Sequence, residues 1–297
     1  MHSSYRRLFN GPLKALLALL AVIVLGSVCA VHAADWSDAS IAFSYGTSYK
    51  EPGRDTEIAK KVASLSYVGG YKYGVNFFGL DMRQSDSVDR AFGGSFATNS
   101  ARGAQEIYVA YNHTLSLGKV SGAAVKFGPV RDVGLEAGFH FNAYNNNFGS
   151  GLVKYIAGPK LDFDVPGFLT LGLFAVKEHN NNAFAVNSGL SSGKVSFKVA
   201  PQVGAVRNFE VPIGVPVVLK GYGTWTGKKG KDGFGGDTAA ELWIDSSFLV
   251  DIGSLAGKPK TFYAGLGYIY IKNKYGVQSS LAGSKNSVPT FKVDVHF

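Results

Sequence analysis

Hydrophobic and polar residues alternate one by one along stretches of about ten residues, the length of a strand that crosses a membrane. The end of the chain shows the pattern most clearly. Its apolar positions are Phe291, Val293, Val295 and Phe297. Its polar positions are Lys292, Asp294 and His296. A period of two predicts a β-strand with one face of each kind. A closed barrel, with lipid outside and water inside, supplies both environments.

Twelve such stretches follow one another, separated by clusters of Gly, Pro, Asn and Asp that predict turns. They cover residues 41–49, 62–69, 75–84, 105–117, 133–142, 151–162, 168–177, 195–206, 217–226, 240–250, 262–272 and 290–297. The prediction is an all-β fold, a twelve-stranded antiparallel transmembrane β-barrel of the bacterial outer membrane. We expect the final strand to close the sheet against the first, around Ile41, Phe43 and Tyr45.

The connections between these strands differ in length on the two sides of the predicted barrel. The shorter set covers residues 70–74, 164–167, 210–216 and 251–260. The longer set covers residues 51–57, 85–102, 143–150, 180–193, 227–238 and 273–287. Residues 118–129 are an exception on the short side, where we expect a brief helix or a plug. Outer-membrane barrels have short periplasmic turns and longer outer loops, so we expect both termini in the periplasm.

The first 33 residues have the features of a secretory signal peptide. Basic residues precede an apolar run over 15–25, and Val31 and Ala33 are small residues at the positions that a cleavage site requires. We therefore expect a signal peptide over 1–33, cleaved between Ala33 and Ala34, and a single barrel domain over 34–297. Cleavage would remove Cys29, the only cysteine, and leave no disulfide or cysteine metal site.

Charge and composition agree with this class of protein. The formal charge of +9 falls to +6 without the three basic residues of the signal peptide, and Lys and Arg are scattered, so we expect no nucleic-acid partner. Aromatic residues make up 13% of the chain, and the tyrosines that we expect in two interfacial girdles are Tyr45, Tyr49, Tyr111, Tyr155, Tyr268 and Tyr270.

A soluble β-sandwich or an eight-stranded lipocalin-like barrel is the alternative fold, because periodicity alone does not distinguish inside from outside. Strand length, an even strand count with long loops on one side, and the apolar final strand favour the membrane barrel.

If the apolar positions face lipid, the other positions line the lumen. The candidates for solute contact are Phe77, Asp81, Arg83, Glu106, Tyr108, Asn112, Glu136, His140, Lys154, Lys220, Tyr222, Trp243 and Asp245. Further charged or polar positions are Lys160, Lys198, Gln202, Glu241, Lys292 and Asp294. Charges of both signs among aromatic rings suit a neutral polar solute with a flat ring and hydroxyls. We expect at least half of the charges to pair with one another.

An enzyme and a surface receptor are the alternative functions. The histidines after the signal peptide are His113, His140, His179 and His296, and none belongs to a recognisable nucleophile motif or a compact zinc site. A triad formed in space, for example around His140 and Glu136, stays open. A receptor would act through the long loops, which a phage or colicin could also contact.

Seven short strings, in order, resemble the Tsx-like nucleoside-specific channel family, in particular its outer envelope protein branch. They are GYKYG at 70–74, NFF at 76–78, GAQEIY at 103–108, FGPVRD at 127–132, FDVPGFL at 163–169, GKDGFG at 230–235 and TFYAGLGY at 261–268. The resemblance implies a monomeric twelve-stranded barrel with a narrow pore for nucleosides, held by aromatic and ionisable side chains, and no cofactor.

The predicted partners are therefore outer-membrane lipid and nucleosides or similar small polar solutes. The terminal stripe of Phe291, Val293, Val295 and Phe297 also resembles the signal that barrel-assembly machinery recognises.

Overall fold

The computed structural model describes residues 34–89, 103–146, 150–182, 189 and 193–297. The predicted signal peptide, 1–33, lies outside the described residues, as do parts of the predicted loops 85–102, 143–150 and 180–193. Within the described ranges the chain forms thirteen strands. They are β1 (Trp36–Tyr49), β2 (Ile58–Tyr71), β3 (Gly74–Ser85), β4 (Gln105–Ser116), β5 (Val130–Tyr144), β6 (Ser150–Phe163), β7 (Phe168–Asn182), β8 (Lys194–Ser196), β9 (Ala200–Pro212), β10 (Pro216–Thr226), β11 (Glu241–Asp251), β12 (Phe262–Lys272) and β13 (Asn286–His296).

Twelve of these strands form a closed antiparallel ring. Going around the ring, the order is β1 to β7 and then β9 to β13, and β13 pairs with β1. The short strand β8 pairs only with the end of β7, at residues 179–181. All backbone N–H and C=O groups of the sheet can therefore find partners without an open edge, as a spanning β-structure requires. The predicted twelve-stranded transmembrane barrel is confirmed.

One predicted strand is interrupted. The sequence predicts a continuous strand over 195–206, but β8 ends at Ser196 and β9 begins at Ala200. Between them Phe197 is buried and its N–H donates to the carbonyl of Glu178 (3.0 Å). Pro201, which has no N–H to donate, follows directly after the break. The apolar alternation continues through the break, so periodicity does not show it.

The seam between β1 and β13 has the predicted register. Ile41 pairs with Val295, Phe43 with Val293, and Tyr45 with Phe291. These side chains lie on the outer face, where Phe43 is 57% exposed and Phe291 is 53% exposed. Large apolar side chains exposed over a whole surface would be costly in water, so this exterior fits hydrocarbon.

The opposite face of each strand lines the lumen. Contacts between strands that are not neighbours in the ring identify it: the Nζ of Lys60 on β2 donates to the hydroxyl of Tyr144 on β5 (3.3 Å). Likewise, the Nζ of Lys160 on β6 donates to the hydroxyl of Thr114 on β4 (3.1 Å). The described residues form three small buried apolar clusters inside the barrel. They contain Tyr49, Ile58 and Val288; Ile156, Phe174 and Val176; and Val218, Leu249 and Tyr263.

Tyr49 is an exception to the predicted aromatic girdle. The pairing of β1 with β2 shifts register between Gly46 and Tyr49. This irregularity turns Tyr49 into the barrel, where its ring lies 5.7 Å from the Nζ of Lys60. An extra residue in a strand reverses the faces of those that follow it. The prediction that Tyr49 faces the membrane interface is therefore wrong, although Tyr45 does lie on the outer face, 45% exposed.

The two rims differ as the sequence predicts. One rim, which we call the terminal rim, carries the start of β1 and the end of β13. It also carries the connections 72–73, 117–129, 164–167, 213–215 and 252–261. The loop rim carries the other connections, and those over 86–104 and 227–240 are longer than any on the terminal rim. The expected brief helix is Leu117–Ser121: the hydroxyl of Ser116 accepts from the N–H of Lys119, and Gly122, in the left-handed conformation (φ 69°), ends the helix. A second short helix, Ile252–Leu255, lies on the same rim. Among the described residues, no helix has the length and apolarity to cross a membrane.

A charge on the outer face should test the assignment of lipid and lumen faces. Val293→Lys places an ammonium group in the middle of the apolar exterior, so we expect it to lower the free energy of unfolding by about 2 to 4 kcal/mol. Urea titration of the protein in lipid vesicles measures this. The control is Ser37→Lys, exposed near the terminal rim, which should cost about 1 kcal/mol or less. Equal losses for both variants would contradict the assignment.

Candidate functional site

The candidate site is the lumen, because the structure places all thirteen predicted solute-contact residues on inward-facing rows. Cross-strand pairs carry these rows from one strand to the next: Asp81 pairs with Tyr108, Arg83 with Glu106, and Tyr222 with Asp245. The other inward positions of the prediction are Phe77, Asn112, Glu136, His140, Lys154, Lys220 and Trp243. Lys198, by contrast, lies in the break between β8 and β9 and is exposed. Whether the thirteen bind a solute stays a prediction.

Arg83 is the centre of a charge network on the wall formed by β3 and β4. Its guanidinium donates to the carboxylates of Asp81 (2.8 Å) and Glu106 (3.0 Å). The same guanidinium lies 5.7 Å from the ring centroid of Tyr108. The amide of Asn142 donates to Glu106 (2.6 Å), and the hydroxyl of Ser64 donates to Asp81 (2.7 Å). Each partner is therefore held in one position, which favours a lumen of fixed shape.

An aromatic side chain on the opposite wall interacts electrostatically with this network. Tyr222 lies on β10, which is six strands from β3 in either direction around the ring of twelve. Arg83 and Tyr222 therefore project from opposite walls, yet they interact electrostatically, and Asp81 and Asp245 act on Tyr222 as well. Tyr222 is 38% exposed. A solute that crosses the lumen at this level passes between a guanidinium and an exposed aromatic ring.

Some lumen groups have spare hydrogen-bonding capacity. Lys154 and Asp245 make no hydrogen bond or ion pair to any described residue, although both have charged electrostatic neighbours. The indole N–H of Trp243 is buried and has no partner within the described part of the chain. The side chains of Lys154 and Asp245 provide a cation and an acceptor for a solute, whereas the Trp243 N–H is buried.

The histidines do not form a nucleophile site among the described residues. His140 contacts the hydroxyl of Tyr108 (2.7 Å) and the amide oxygen of Asn112 (3.3 Å). Glu136 accepts from Lys160 (2.8 Å) and Thr114 (2.8 Å), so its partners are other than His140. Across the parts of the chain described here, no imidazole is hydrogen-bonded to a serine or threonine hydroxyl.

A second set of charges narrows the lumen near the terminal rim. Lys220 on β10 donates to Asp294 on β13, two strands that are not neighbours. The imidazole of His296 lies beside this pair and contacts Asp38 through Nδ1 (2.8 Å). One oxygen of Asp294 is buried without a hydrogen-bond partner in the described residues. The predicted lumen residue Lys220 is therefore paired, as expected for many of these charges.

The loop rim carries a buried charge network that the sequence did not predict. We call Glu51, Lys60, Asp89, Tyr144 and Lys274 the mouth network. Glu51 is only 2% exposed and accepts from the Nζ atoms of Lys60 (2.7 Å) and Lys274 (2.8 Å). Tyr144 donates to Asp89, which is completely buried. Because its members come from β2, β5 and three loops, the mouth network ties these loops to the barrel wall on this rim.

The loop backbones fit closely around the mouth network. The N–H of Gly53 donates to the carbonyl of Ala282 (2.8 Å). Gly283 has φ 76°, and a Cβ built on it would lie 2.0 Å from the carbonyl oxygen of Glu51. Only glycine can occupy this position without moving the loop over 50–57.

The loop rim also carries a second buried ion pair, between Lys229 and Glu178. Lys229 donates to both carboxylate oxygens of Glu178 (2.8 Å each) and lies 4.5 Å from the ring centroid of Phe197. The surrounding loop, which the sequence predicts over 227–238, also contains Lys231, and this lysine pairs with Asp237 in an exposed position. Lys229, however, is 5% exposed. Nothing in the local composition distinguishes these two lysines.

The electrostatics of Glu51 follow from its two ammonium partners. Burial by itself would raise the pKa of Glu51, but the charges of Lys274 and Lys60 outweigh burial and lower the pKa from 4.5 to about 2. Burial also lowers the pKa of Lys274, although Glu51 opposes this. The carboxylate is therefore ionised at any pH above about 4.5. The described residues contain no group of His, Cys, Asp and Glu side chains that could hold a metal ion.

Comparisons with known proteins find little similarity in sequence. No family model matches the chain, and no curated protein matches it. Among solved structures, the NanC porin is similar with a TM-score of 0.46 and 9% identity, over 86% of this chain and 98% of that one. An outer membrane channel (COG4313) from Pseudomonas putida F1 has a TM-score of 0.44 and 10% identity, over 89% and 96%. The KdgM porin has a TM-score of 0.40 and 8% identity, over 87% and 99%.

The mouth network should make the free energy of unfolding depend on pH in the acid range. Because the folded pKa of Glu51 lies below its unfolded value, its ionised form stabilises the fold above pH 4.5, and this stabilisation is lost as the pH falls towards 2. Glu51→Gln should lower the free energy of unfolding by on the order of 3 kcal/mol at neutral pH, and by progressively less as the pH falls. Urea titrations at several pH values measure the difference.

The matched control is Asp55→Asn in the same loop. Asp55 pairs with Lys50 in an exposed position, with 75% of its side chain accessible, so removing its charge should have little effect at any pH. A difference between wild type and Glu51→Gln that stays constant from pH 5 to about pH 2 would count against an ionised buried Glu51.

Proposed function

We propose that this protein is an outer-membrane channel through which small polar solutes diffuse passively, and that nucleosides are its preferred solutes. The observation that carries the proposal is the level of the lumen at which Arg83 and Tyr222 face each other from opposite walls. A pore lined by one sign of charge would select ions. Here a guanidinium, two carboxylates and an exposed aromatic ring occur together, which suits a neutral solute with a planar ring and hydroxyls.

Weak contacts in series favour such a pathway. The unpaired side chains of Lys154 and Asp245 could hydrogen-bond ribose hydroxyls or base edges as the solute passes. Stacking on an aromatic ring contributes about 1 to 3 kcal/mol per base and tolerates different bases. Contacts of this strength allow entry without preventing exit, which conduction requires.

The difference between the rims supports an orientation. With the terminal rim in the periplasm, the mouth network and the Lys229–Glu178 pair lie at the outer entrance. The short turns then lie on the periplasmic side, as is usual for bacterial outer-membrane barrels.

Conduction and solute block test the proposal directly. Purified protein in a planar bilayer should conduct, and adenosine should reduce the current at concentrations at which ribose does not. Equal block by the two compounds would remove the nucleoside assignment and leave a general channel. A bilayer that contains folded protein and shows no conductance would exclude the channel itself.

Tyr222→Ala should weaken the block by adenosine about tenfold, because it removes a ring on which the base stacks, and tenfold corresponds to about 1.4 kcal/mol. The measurement is the adenosine concentration that halves the single-channel current. The control is Tyr268→Ala, since Tyr268 is 46% exposed on the outer face and does not line the lumen. Equal weakening in both variants would show that Tyr222 does not contact the solute.

A further inference from the structure

A turn at residues 273–276, which we call the tyrosine turn, folds from the end of β12 towards the lumen. Contacts hold it on two sides. On one side the side-chain amide of Asn273 donates to the carbonyl of Ala240 (2.7 Å), and the N–H of Tyr275 donates to the carboxylate of Glu241. On the other side the Nζ of Lys274 donates to Glu51 (2.8 Å). The turn is therefore fixed between the loop before β11 and the loop after β1.

The side chain of Tyr275 lies between opposite walls of the barrel. Glu106 on β4 and Glu241 on β11 both act electrostatically on it, together with Glu51 and Arg83. β4 and β11 are six strands apart in either direction around the ring, so they face each other. The hydrogen bonds agree with a position across the lumen: the turn is bonded to Glu241 on β11 and, through Lys274 and Glu51, to Tyr144 on β5, so Tyr275 lies at the entrance on the loop rim.

The backbone of the tyrosine turn is strained. Tyr275 has a φ value of 62°, in the left-handed region that an aromatic residue rarely adopts, and Asn273, a residue type common in that region, has a φ value of 58°. Such a conformation costs on the order of 1 to 3 kcal/mol and persists only where its surroundings impose it. Here the hydrogen bonds to Ala240 and Glu241 and the ion pair with Glu51 impose it. Strain of this kind indicates that the position of the Tyr275 side chain matters.

The chemistry of Tyr275 suits contact with a neutral solute. Burial and the negative charges of Glu51 and Glu106 raise the pKa of Tyr275 well above its ordinary value, so the phenol stays neutral. Its hydroxyl has no hydrogen-bond partner in the described part of the chain. The Nζ of Lys274 lies 5.1 Å from the ring centroid, and the side chain is only half-buried. The ring therefore offers free aromatic surface and a free hydroxyl to the lumen.

We infer that Tyr275 is a specificity-determining residue of the channel: solutes pass its ring at the loop-side entrance, planar neutral rings are retained there by stacking, and the Lys274–Glu51 ion pair keeps the ring over the pore. This inference rests on the proposed channel function and adds to it a second aromatic contact, closer to the entrance than Tyr222. A purely structural Tyr275 would instead only fill space between the loops.

Single-channel recording of the full-length protein in planar bilayers tests the inference, with adenosine as the probe and ribose as the reference solute. Tyr275→Ala should raise the conductance and weaken adenosine block about tenfold, whereas Tyr275→Phe should retain most of the block because it keeps the ring. The control is Lys231→Gln, which breaks an exposed ion pair on the same rim and should change neither quantity. Heat-modified migration on a gel checks that each variant is folded.

The ion pair is tested by a double-mutant cycle. Glu51→Gln should release the tyrosine turn, raise the conductance and weaken adenosine block. In the Tyr275→Ala background the same change should add little, because the ion pair acts through the ring. Additive effects would overturn the role of the ion pair.

The outcomes separate this inference from the channel proposal. If wild type conducts and adenosine blocks it, but Tyr275→Ala leaves conductance and block unchanged, the inference about Tyr275 is overturned and the channel remains. A folded wild-type protein that does not conduct overturns both.

Discussion

The pairing of β1 with β13 is the constraint on which the rest of the structure depends. In hydrocarbon an unpaired backbone N–H or C=O costs several kcal/mol, so a sheet crosses a membrane only as a closed ring. Closure then divides every strand into an outer and an inner face. The outer face must be apolar, and Phe43, Val293 and Phe291 make it so at the seam. The inner face is free of that requirement and can carry charge.

Charge inside the barrel brings its own requirement, because a desolvated ion needs a partner. Most described lumen charges meet it by pairing, as Arg83 does with Asp81 on its own strand and with Glu106 on the next, and Lys160 does with Glu136 across strands. Pairing fixes side chains that would otherwise move through the pore. Lys154, Asp245 and the Trp243 indole lack such bonds within the described residues, and they stand out for that reason. The solute pathway that we propose uses the charged side chains that remain unpaired.

The strands can be predicted from the sequence because apolar and polar residues alternate along each of them, one set facing lipid and the other facing the lumen. The register of β1 on β13 and the inward position of all thirteen candidate residues follow from this alternation. Two local features do not. The shift between Gly46 and Tyr49 adds a residue and turns Tyr49 inward, and the break after Ser196 leaves the alternation intact. Both change backbone pairing without changing the pattern of apolar residues.

The positions of the loops along the chain could be predicted from the sequence, but the contacts between them could not. Glu51, Lys274 and Tyr275 meet because strands far apart in sequence end at the same rim, and no spacing along the chain encodes that contact. Their burial also differs from what composition indicates, since Lys229 and Lys231 have similar surroundings in the sequence and opposite exposures. The regular strands form the wall of the barrel and thereby the lumen. The long-range contacts between loops determine the width of the entrance and the side chain that a solute meets first.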